Sequence, residues 1–256
     1  NIMRRWWVNR YNTIKVNNKT PITFSQANGG RGLGRFAVTK YGLSLYGVGD
    51  DRGSSNAWRF FWVMNNPASL PTGMQLNATC ASPGWTGPKL GDTVKLSINC
   101  NEPPPSDKTA QNWPNTRKWD WAPDDPADVT NVSNYNDQIY LRLAETYLLL
   151  AEAQFKLGDA GGAAITINTL RNRSKATPVS ATNVNMAYIL DERSRELFSE
   201  EHRRYTLIRT GTWFDRTKLY NNYSGPKITL RDTLLPIPQA VIDANLTKPM
   251  RQNPGY

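Results

Sequence analysis

The chain has 256 residues, of which 39% are hydrophobic, 11% aromatic and 20% charged. This composition supports a packed core in one large domain or two small ones, and it argues against low-complexity disorder. No apolar run approaches the roughly 20 residues that a membrane-spanning helix needs. The net charge of +10 is compatible with nucleic acid, an acidic glycan or an anionic lipid as a partner, and equally with a solvated loop region.

The first region, residues 1–135, is punctuated by Gly and Pro and predicts long loops laid over a scaffold. Short strands are expected over residues 60–64 and 93–98, and a short helix over 5–14. Loops of this length are usually functional or disordered, and the aromatic content argues against disorder. Positive charge is concentrated in residues 1–52, with nine Lys or Arg against two Asp.

The two cysteines of the chain, Cys80 and Cys100, both lie in the first region. In an oxidising compartment they would close one loop as a disulfide, and otherwise they are two unpaired thiols. Spacing alone does not decide between these states, so both remain open.

The second region, residues 136–256, is helical by its period over residues 137–220, whereas the prolines between Leu234 and Tyr256 exclude a long helix or a central strand there. One helix is predicted to end at Gly158 and to bury a face with Leu143, Tyr147, Leu150, Ala151, Phe155 and Leu157. A second helix follows with Ala163, Ile167 and Leu170 on one side. The small residues Ala151 and Ala163 allow close antiparallel approach, which is the tetratricopeptide pattern. A third helix is expected over about 184–209.

Signals for catalysis and for cofactors are weak. His202 is the only histidine, and it lies in a charged helical run without a nucleophile motif. Cysteine and histidine spacings typical of zinc sites are absent. The glycine-rich stretch at 28–34 lacks the Lys-Ser/Thr of a phosphate-binding loop. We therefore expect a protein that is not an enzyme and that has no cofactor or metal.

Four ordered motifs over residues 117–256 resemble the SusD/RagB family. They are the helix from Arg142 through Glu145 onward, the segment Asn168–Arg173, the run Glu192–Arg209, and the C-terminal pair LLPIPQ and QNPGY between Leu234 and Tyr256. Two positions depart from the family pattern, because Glu201 stands for the usual Gly and Thr206 for the usual Asp. The charged motif residues Arg142, Glu145, Glu192, Arg193, Glu196, Arg203 and Arg209 are expected to brace helices rather than to catalyse.

The resemblance implies a mostly α fold with a tetratricopeptide-like scaffold of the α-α superhelix type, a large irregular loop region and minor β-hairpins. It implies that both regions together form one domain of a longer protein. It also implies glycan capture without turnover at the bacterial outer-membrane surface, beside a SusC-like TonB-dependent transporter. Attachment to the membrane would then be only through a lipid anchor on a preceding part of the protein.

Glycan binding needs aromatic faces for stacking on sugar C–H groups, and amide or guanidinium groups for the hydroxyls. The first region supplies both, and Trp6, Trp7 and Tyr11 are the strongest candidates because their neighbours are polar and basic. Trp119 is expected to belong to the scaffold. The complete set of ligand-binding candidates is Trp6, Trp7, Arg10, Tyr11, Trp58, Trp62 and Trp85.

Two other functions stay open. A tetratricopeptide-type interaction module would bind a protein or peptide on its helical face, with the aromatic residues in the core. A SusD-like protein can also take a nutrient other than a glycan. We expect no nucleic-acid partner, because that hypothesis rests only on residues 1–52 and lacks a recognised motif. The excess of Lys and Arg points weakly to an acidic glycan.

Overall fold

A computed structural model describes residues 2–13, 19–69, 77–78, 93–95, 114–120, 129–130, 137 and 139–256. The predictions for Trp85, Cys80 and Cys100 therefore lie outside the described residues. The chain forms two compact units, Asn1–Glu200 and Glu201–Tyr256. The first unit thus takes residues from both regions that the sequence distinguishes, 1–135 and 136–256.

Helices dominate the described residues, as the sequence predicts. The first unit holds α1 (Lys40–Ser44), α2 (Leu143–Lys156), α3 (Ala160–Arg173) and α4 (Met186–Glu196), and the second holds α5 (Arg203–Arg209), α6 (Trp213–Tyr220) and α7 (Gln239–Asp243). The helix expected over residues 5–14 is instead two 3-10 turns, Ile2–Trp7 and Tyr11–Thr13. None of the helices in the described part of the chain is both long and apolar enough to cross a membrane.

The strands are short and pair between distant segments. They are β1 (Trp58–Arg59), β2 (Phe61–Val63), β3 (Asn77–Ala78), β4 (Thr93–Lys95) and β5 (Asn115–Thr116). β1 pairs antiparallel with β5, with Trp58 opposite Thr116. β4 lies between β2, which is antiparallel to it, and β3, which is parallel. The two predicted strands are thus present, but each antiparallel partner comes from a remote segment rather than from an adjacent hairpin.

Helices α2 and α3 form the tetratricopeptide-like pair. Ala151 on α2 and Ala163 and Ile167 on α3 are fully buried between them. Gly158 ends α2 with a φ of +87°, a left-handed conformation that glycine adopts without steric cost. Asp159 then caps α3 by accepting a hydrogen bond of 2.7 Å from the backbone N–H of Gly162. The pair confirms the prediction made from the small residues.

The predicted buried face of α2 is partly wrong. Leu143, Leu150 and Leu157 are 67%, 47% and 86% exposed, whereas Ala144 and Leu148 are buried. The buried stripe follows Ala144, Leu148 and Ala151, a spacing of four and three residues that also matches the helical period. Leucines on both sides of the helix left its orientation ambiguous in the sequence.

The predicted third helix is broken into α4 and α5. Residues 197–202 are not helical, and Ser199 has a φ of +63°. The indole nitrogen of Trp119 donates a hydrogen bond of 2.9 Å to the hydroxyl of Ser199, so this non-helical turn is held from a distant loop. The contact also confirms that Trp119 belongs to the scaffold.

In the second unit, the two C-terminal motifs bind one another. The side-chain amide of Gln252 accepts from the N–H of Ile237 at 2.7 Å and donates to its carbonyl at 2.8 Å. The side chain of Asn253 donates to the carbonyl of Leu235, and the hydroxyl of Tyr256 to that of Leu234. These bonds satisfy backbone groups that the proline-rich segment cannot pair in a helix or sheet.

Candidate functional site

A buried arginine anchors the N-terminal turn on which Trp6 and Trp7 lie. The side chain of Arg5 is fully buried and donates hydrogen bonds to the carbonyls of Gly29, Arg31 and Trp119. Burial lowers its pKa to about 10, so the guanidinium is still protonated at neutral pH. Because the segment at 29–31 and the loop of Trp119 both bind this one charge, the position of the neighbouring Trp6 is fixed by the core.

The segment 33–36 runs alongside this turn. The backbone N–H groups of Arg35 and Phe36 both donate to the carbonyl of Trp6 at 2.9 Å, and the N–H of Gly34 donates to the carbonyl of Val8 at 2.8 Å. Gly34 has a φ of +55°, and a Cβ at this position would lie 3.3 Å from the backbone nitrogen of Arg10. The glycine therefore lets this segment lie close against the backbone of Arg10.

Three aromatic rings meet at this place. The ring of Phe36 lies 5.3 Å from that of Trp6 and 5.0 Å from that of Trp7, between centroids. Trp7 also packs at 5.0 Å against Phe198, beneath the surface. Phe36 is 44% exposed, and the side chains of Arg10 and Arg35 are exposed as well. We call the group formed by Trp6, Arg10, Arg35 and Phe36 the Trp6 surface.

Three other candidates from the sequence lie in the core. Tyr11 and Trp62 are fully buried and stack on each other with centroids 6.2 Å apart, and Trp58 is 2% exposed. The hydroxyl of Tyr11 donates to the carbonyl of Gly30 at 2.8 Å. In this structure these rings offer no face on which a sugar could stack, so the burial of large side chains explains them.

A cavity of about 300 Å³ lies beside Trp58. Its lining includes Leu43, Tyr46, Asp50, Asp51, Trp58 and Phe60. The hydroxyl of Tyr46 donates to the carbonyl of Arg195 and the indole of Trp58 to that of Arg52. Asp50 is ion-paired with Arg52 at 2.9 Å, and Asp51 with Lys175 at 3.0 Å. The polar side chains that line the cavity therefore already form hydrogen bonds or ion pairs with other residues of the protein.

A network of ion pairs centred on buried carboxylates joins the loop-rich region to the helices. Glu192 and Glu196 on α4 are its centre, with Glu192 bound by Arg52, Arg171 and Arg195, and Glu196 bound by Arg52, Arg142 and Arg173. Arg193 pairs with Glu145 on α2 at 2.8 Å. The network confirms the bracing role predicted for Arg142, Glu145, Glu192, Arg193 and Glu196, since it ties residue 52 of the loop-rich region to the helices. For Arg203 and Arg209 the bracing role stays a prediction.

Sequence reasoning missed Phe36 and Arg35 as site residues. Arg35 and Phe36 directly follow the glycine-rich stretch at 28–34, and their sequence shows no motif of a ligand site. The place of Phe36 beside Trp6 depends on backbone hydrogen bonds between segments about 30 residues apart in the printed sequence, which no local pattern encodes. Within the described residues, no group of three or more His, Cys, Asp or Glu is placed to hold a metal ion.

Comparison with known proteins shows which family the chain belongs to. The model of the SusD family matches residues 3–256. The chain belongs to the SusD family. Within it, the chain is 35% identical over 144 residues to the starch-binding protein SusD of Bacteroides thetaiotaomicron, a match that covers 54% of this chain and 25% of that protein. It is 34% identical over 143 residues to a SusD-like protein of Formosa agariphila, covering 50% and 27%.

A solved structure agrees with the fold. A SusD-like protein of Bacteroides fragilis aligns with a TM-score of 0.51 and 18% identity, over 96% of this chain and 53% of that one. At this sequence identity, the similarity supports the tetratricopeptide-like fold of the SusD family. The matched segments cover about a quarter of the curated relatives and about half of the solved one.

Proposed function

We propose that this chain is part of a glycan-capture protein that holds an oligosaccharide on the Trp6 surface and does not change it chemically. Membership of the SusD family supports the proposal, as does the similarity to a starch-binding protein, SusD of Bacteroides thetaiotaomicron. Capture without turnover needs a preformed surface and no reacting groups, and this is what the Trp6 surface offers.

One observation carries the choice of site. Trp6 and Phe36 form an edge-to-face pair at 5.3 Å at a place where Phe36 is 44% exposed. Aromatic faces stack on the C–H surfaces of sugars, and guanidinium groups such as that of Arg10 donate to their hydroxyls. The surface is also rigid, because Arg5 and the backbone of segment 33–36 hold Trp6 from both sides. A rigid platform loses little entropy when it binds.

The remaining candidates take supporting roles in this proposal. The ring of Trp7 packs against the rings of both Phe36 and Phe198. Tyr11, Trp58 and Trp62 build the cores from which the turn projects. Trp85 stays a candidate for a further ligand contact.

For the parent protein we propose the outer-membrane surface as its place and a SusC-like TonB-dependent transporter as its partner. The membrane attachment would be a lipid anchor outside these 256 residues. Membership of the family is the sole support for these three points. Co-purification of the transporter with a tagged parent protein from membranes would test them, and a parent protein found only in the soluble fraction would contradict them.

One observation favours a second function, a tetratricopeptide-type interaction module. The α2–α3 pair carries exposed apolar side chains, among them Leu143 and Ile165 at 67% and 73% exposure. Such residues are the ones a protein partner would bury. In that case Leu143→Ser would abolish partner binding and Trp6→Ala would not affect it.

Calorimetric titration of this chain with a panel of neutral and acidic oligosaccharides tests the proposed function. We expect saturable binding that Trp6→Ala weakens by about 1 kcal/mol or more, while Tyr205→Ala, which removes a ring that is 77% exposed elsewhere, has no effect. Trp6 is the better target than Trp7, because Trp7 also packs against the core. Absence of binding across the panel would contradict glycan capture and favour a different nutrient or the interaction module.

A further inference from the structure

We infer that the ligand of the Trp6 surface is an acidic oligosaccharide, whose carboxylate or sulfate groups bind Arg10 and Arg35. This inference rests on the proposed function, since it takes the Trp6 surface as the glycan site and specifies the chemical class of the glycan.

The first observation is the absence of acidic residues in the segments that build this surface. Residues 1–49 contain no Asp or Glu, and they contain eight Lys or Arg. Both halves of the Trp6 surface, the turn at residues 5–10 and the segment at 33–36, belong to this stretch. A surface built from it therefore contributes positive charge without a compensating carboxylate of its own.

The second observation is that the arginines of the first unit differ in their partners. Most of them bind carboxylates within the protein, namely Arg52, Arg59, Arg117, Arg142, Arg171, Arg173, Arg193 and Arg195. Among the described residues, Arg10 and Arg35 form no ion pair, and both side chains are exposed. Within the described residues, the fold thus leaves without an ion pair two exposed arginines on the segments that carry Trp6 and Phe36.

The third observation is their placement. The backbone of Arg10 and its Cγ lie against Gly34, within 3.4 Å of where a Cβ would be. Arg35 and Phe36 are joined through their N–H groups to the carbonyl of Trp6. A sugar ring lying on Trp6 and Phe36 would therefore lie on the two segments that carry Arg10 and Arg35. Guanidinium is suited to planar bidentate binding of carboxylate and to the oxygens of sulfate.

An acidic glycan fits this surface better than a nucleic acid does. A nucleic acid carries a phosphate on every nucleotide and is bound by a stripe of basic residues. Two other arginines of this stretch are already engaged, because Arg5 is buried on three carbonyls and Arg31 donates to the carbonyl of Thr130 and lies over the ring of Phe24. The Trp6 surface itself is a short aromatic group with two exposed arginines, Arg10 and Arg35.

The test compares each acidic oligosaccharide with its own neutral form. The probes are oligogalacturonate with its methyl ester, and a sulfated galactan oligosaccharide with its desulfated form. Binding to the chain is measured by calorimetry at low and at high salt for the wild type, for Arg10→Gln/Arg35→Gln, and for Lys248→Gln/Arg251→Gln. The last variant is a matched control, since it removes two exposed positive charges from the second unit. A single-stranded oligothymidylate is titrated in parallel.

We expect at least one acidic probe to bind about tenfold tighter than its neutral form at low salt, with the preference reduced by added salt. Arg10→Gln/Arg35→Gln should abolish the preference by weakening the acidic probe much more than the neutral one, whereas the control variant should retain the preference. Equal affinity for acidic and neutral forms would overturn the inference and leave the proposed function standing. An equal loss in both variants, or tighter binding of oligothymidylate, would also overturn it. Absence of binding to every glycan would overturn the proposed function itself.

Discussion

The guanidinium of Arg52 lies 2.9 Å from the carboxylate of Glu192, which is 140 residues further along the chain. The side chain of Glu192 is completely buried, and that of Arg52 is 12% exposed. Burial alone would lower the pKa of Arg52, but the hydrogen bonds and charges of Asp50 and Glu192 raise it above its ordinary value. This pair joins the loop-rich region to α4 and so supports the scaffold from which the Trp6 surface projects.

Substitution of Arg52 should therefore destabilise the protein strongly. Arg52→Ala leaves the carboxylates of Asp50, Glu192 and Glu196 without a shared partner, and we expect a loss of about 3–5 kcal/mol in the free energy of unfolding. Urea denaturation measures it. Lys175→Gln breaks the exposed pair with Asp51, whose side chains are 76% and 51% exposed, and should cost about 0.5 kcal/mol or less. Similar losses in the two variants would contradict a bracing role for Arg52.

The same network should make the protein sensitive to acid. Burial alone would raise the pKa of Glu196, but Arg142, Arg173 and Arg52 together lower it below its ordinary value of 4.5. A carboxyl group whose pKa is lower in the folded state stabilises the fold above its unfolded pKa, and this contribution is lost as the pH falls through the folded value. We expect the free energy of unfolding to decrease as the pH drops below about 4.5, and less steeply in Glu196→Gln. A variant with the same pH dependence as the wild type would argue against this assignment.

Two glycines near the turn between α2 and α3 should respond in opposite directions to alanine. Gly158 has a φ of +87°, so Gly158→Ala forces an L-residue into a left-handed conformation and should cost about 1 kcal/mol. Gly161 lies in the first turn of α3, and a Cβ there would meet only the carboxylate of Asp159 at 3.6 Å. Gly161→Ala should therefore stabilise the protein by about 0.5 kcal/mol. Thermal unfolding measures both changes, and a stabilising Gly158→Ala would exclude the proposed turn.

Tyr11 should act on stability and not on ligand binding. Burial raises its pKa to about 12, so its hydroxyl stays protonated at neutral pH and donates to the carbonyl of Gly30. Tyr11→Phe leaves that carbonyl without its partner and should cost about 1–2 kcal/mol. Affinity for a glycan should be unchanged when measured on the folded variant. Loss of binding at unchanged stability would return Tyr11 to the ligand site.

The helical pair α2–α3 and the charged residues that brace the helices could be predicted from the sequence, because the sequence patterns that indicate them are local. Small residues at Ala151 and Ala163 and the turn at Gly158 mark the helix pair within about 20 residues. The break between α4 and α5 was not accessible in this way. Ser199 carries no strong signal for a left-handed conformation, and the turn is held by Trp119, 80 residues away.

The functional surface shows the same division. The sequence marks Trp6, Trp7 and Tyr11 alike by their polar and basic neighbours. It cannot show that Tyr11 and Trp62 are buried, because their burial depends on segments folding together from far apart. The two departures from the family pattern are a related case. Thr206 donates its hydroxyl to the carboxylate of Glu201, so the two unusual residues form one local contact in the second unit.

Nuclear magnetic resonance of the indole N–H groups tests the central claim most directly. The chain has nine Trp, and the signals of Trp6 and Trp62 can be assigned by replacing each with Phe. When an oligosaccharide that binds by calorimetry is added, the account predicts a saturable shift of the Trp6 signal with little change at Trp62, which is fully buried. A Trp6 signal that stays constant while binding saturates would contradict the account and place the glycan elsewhere.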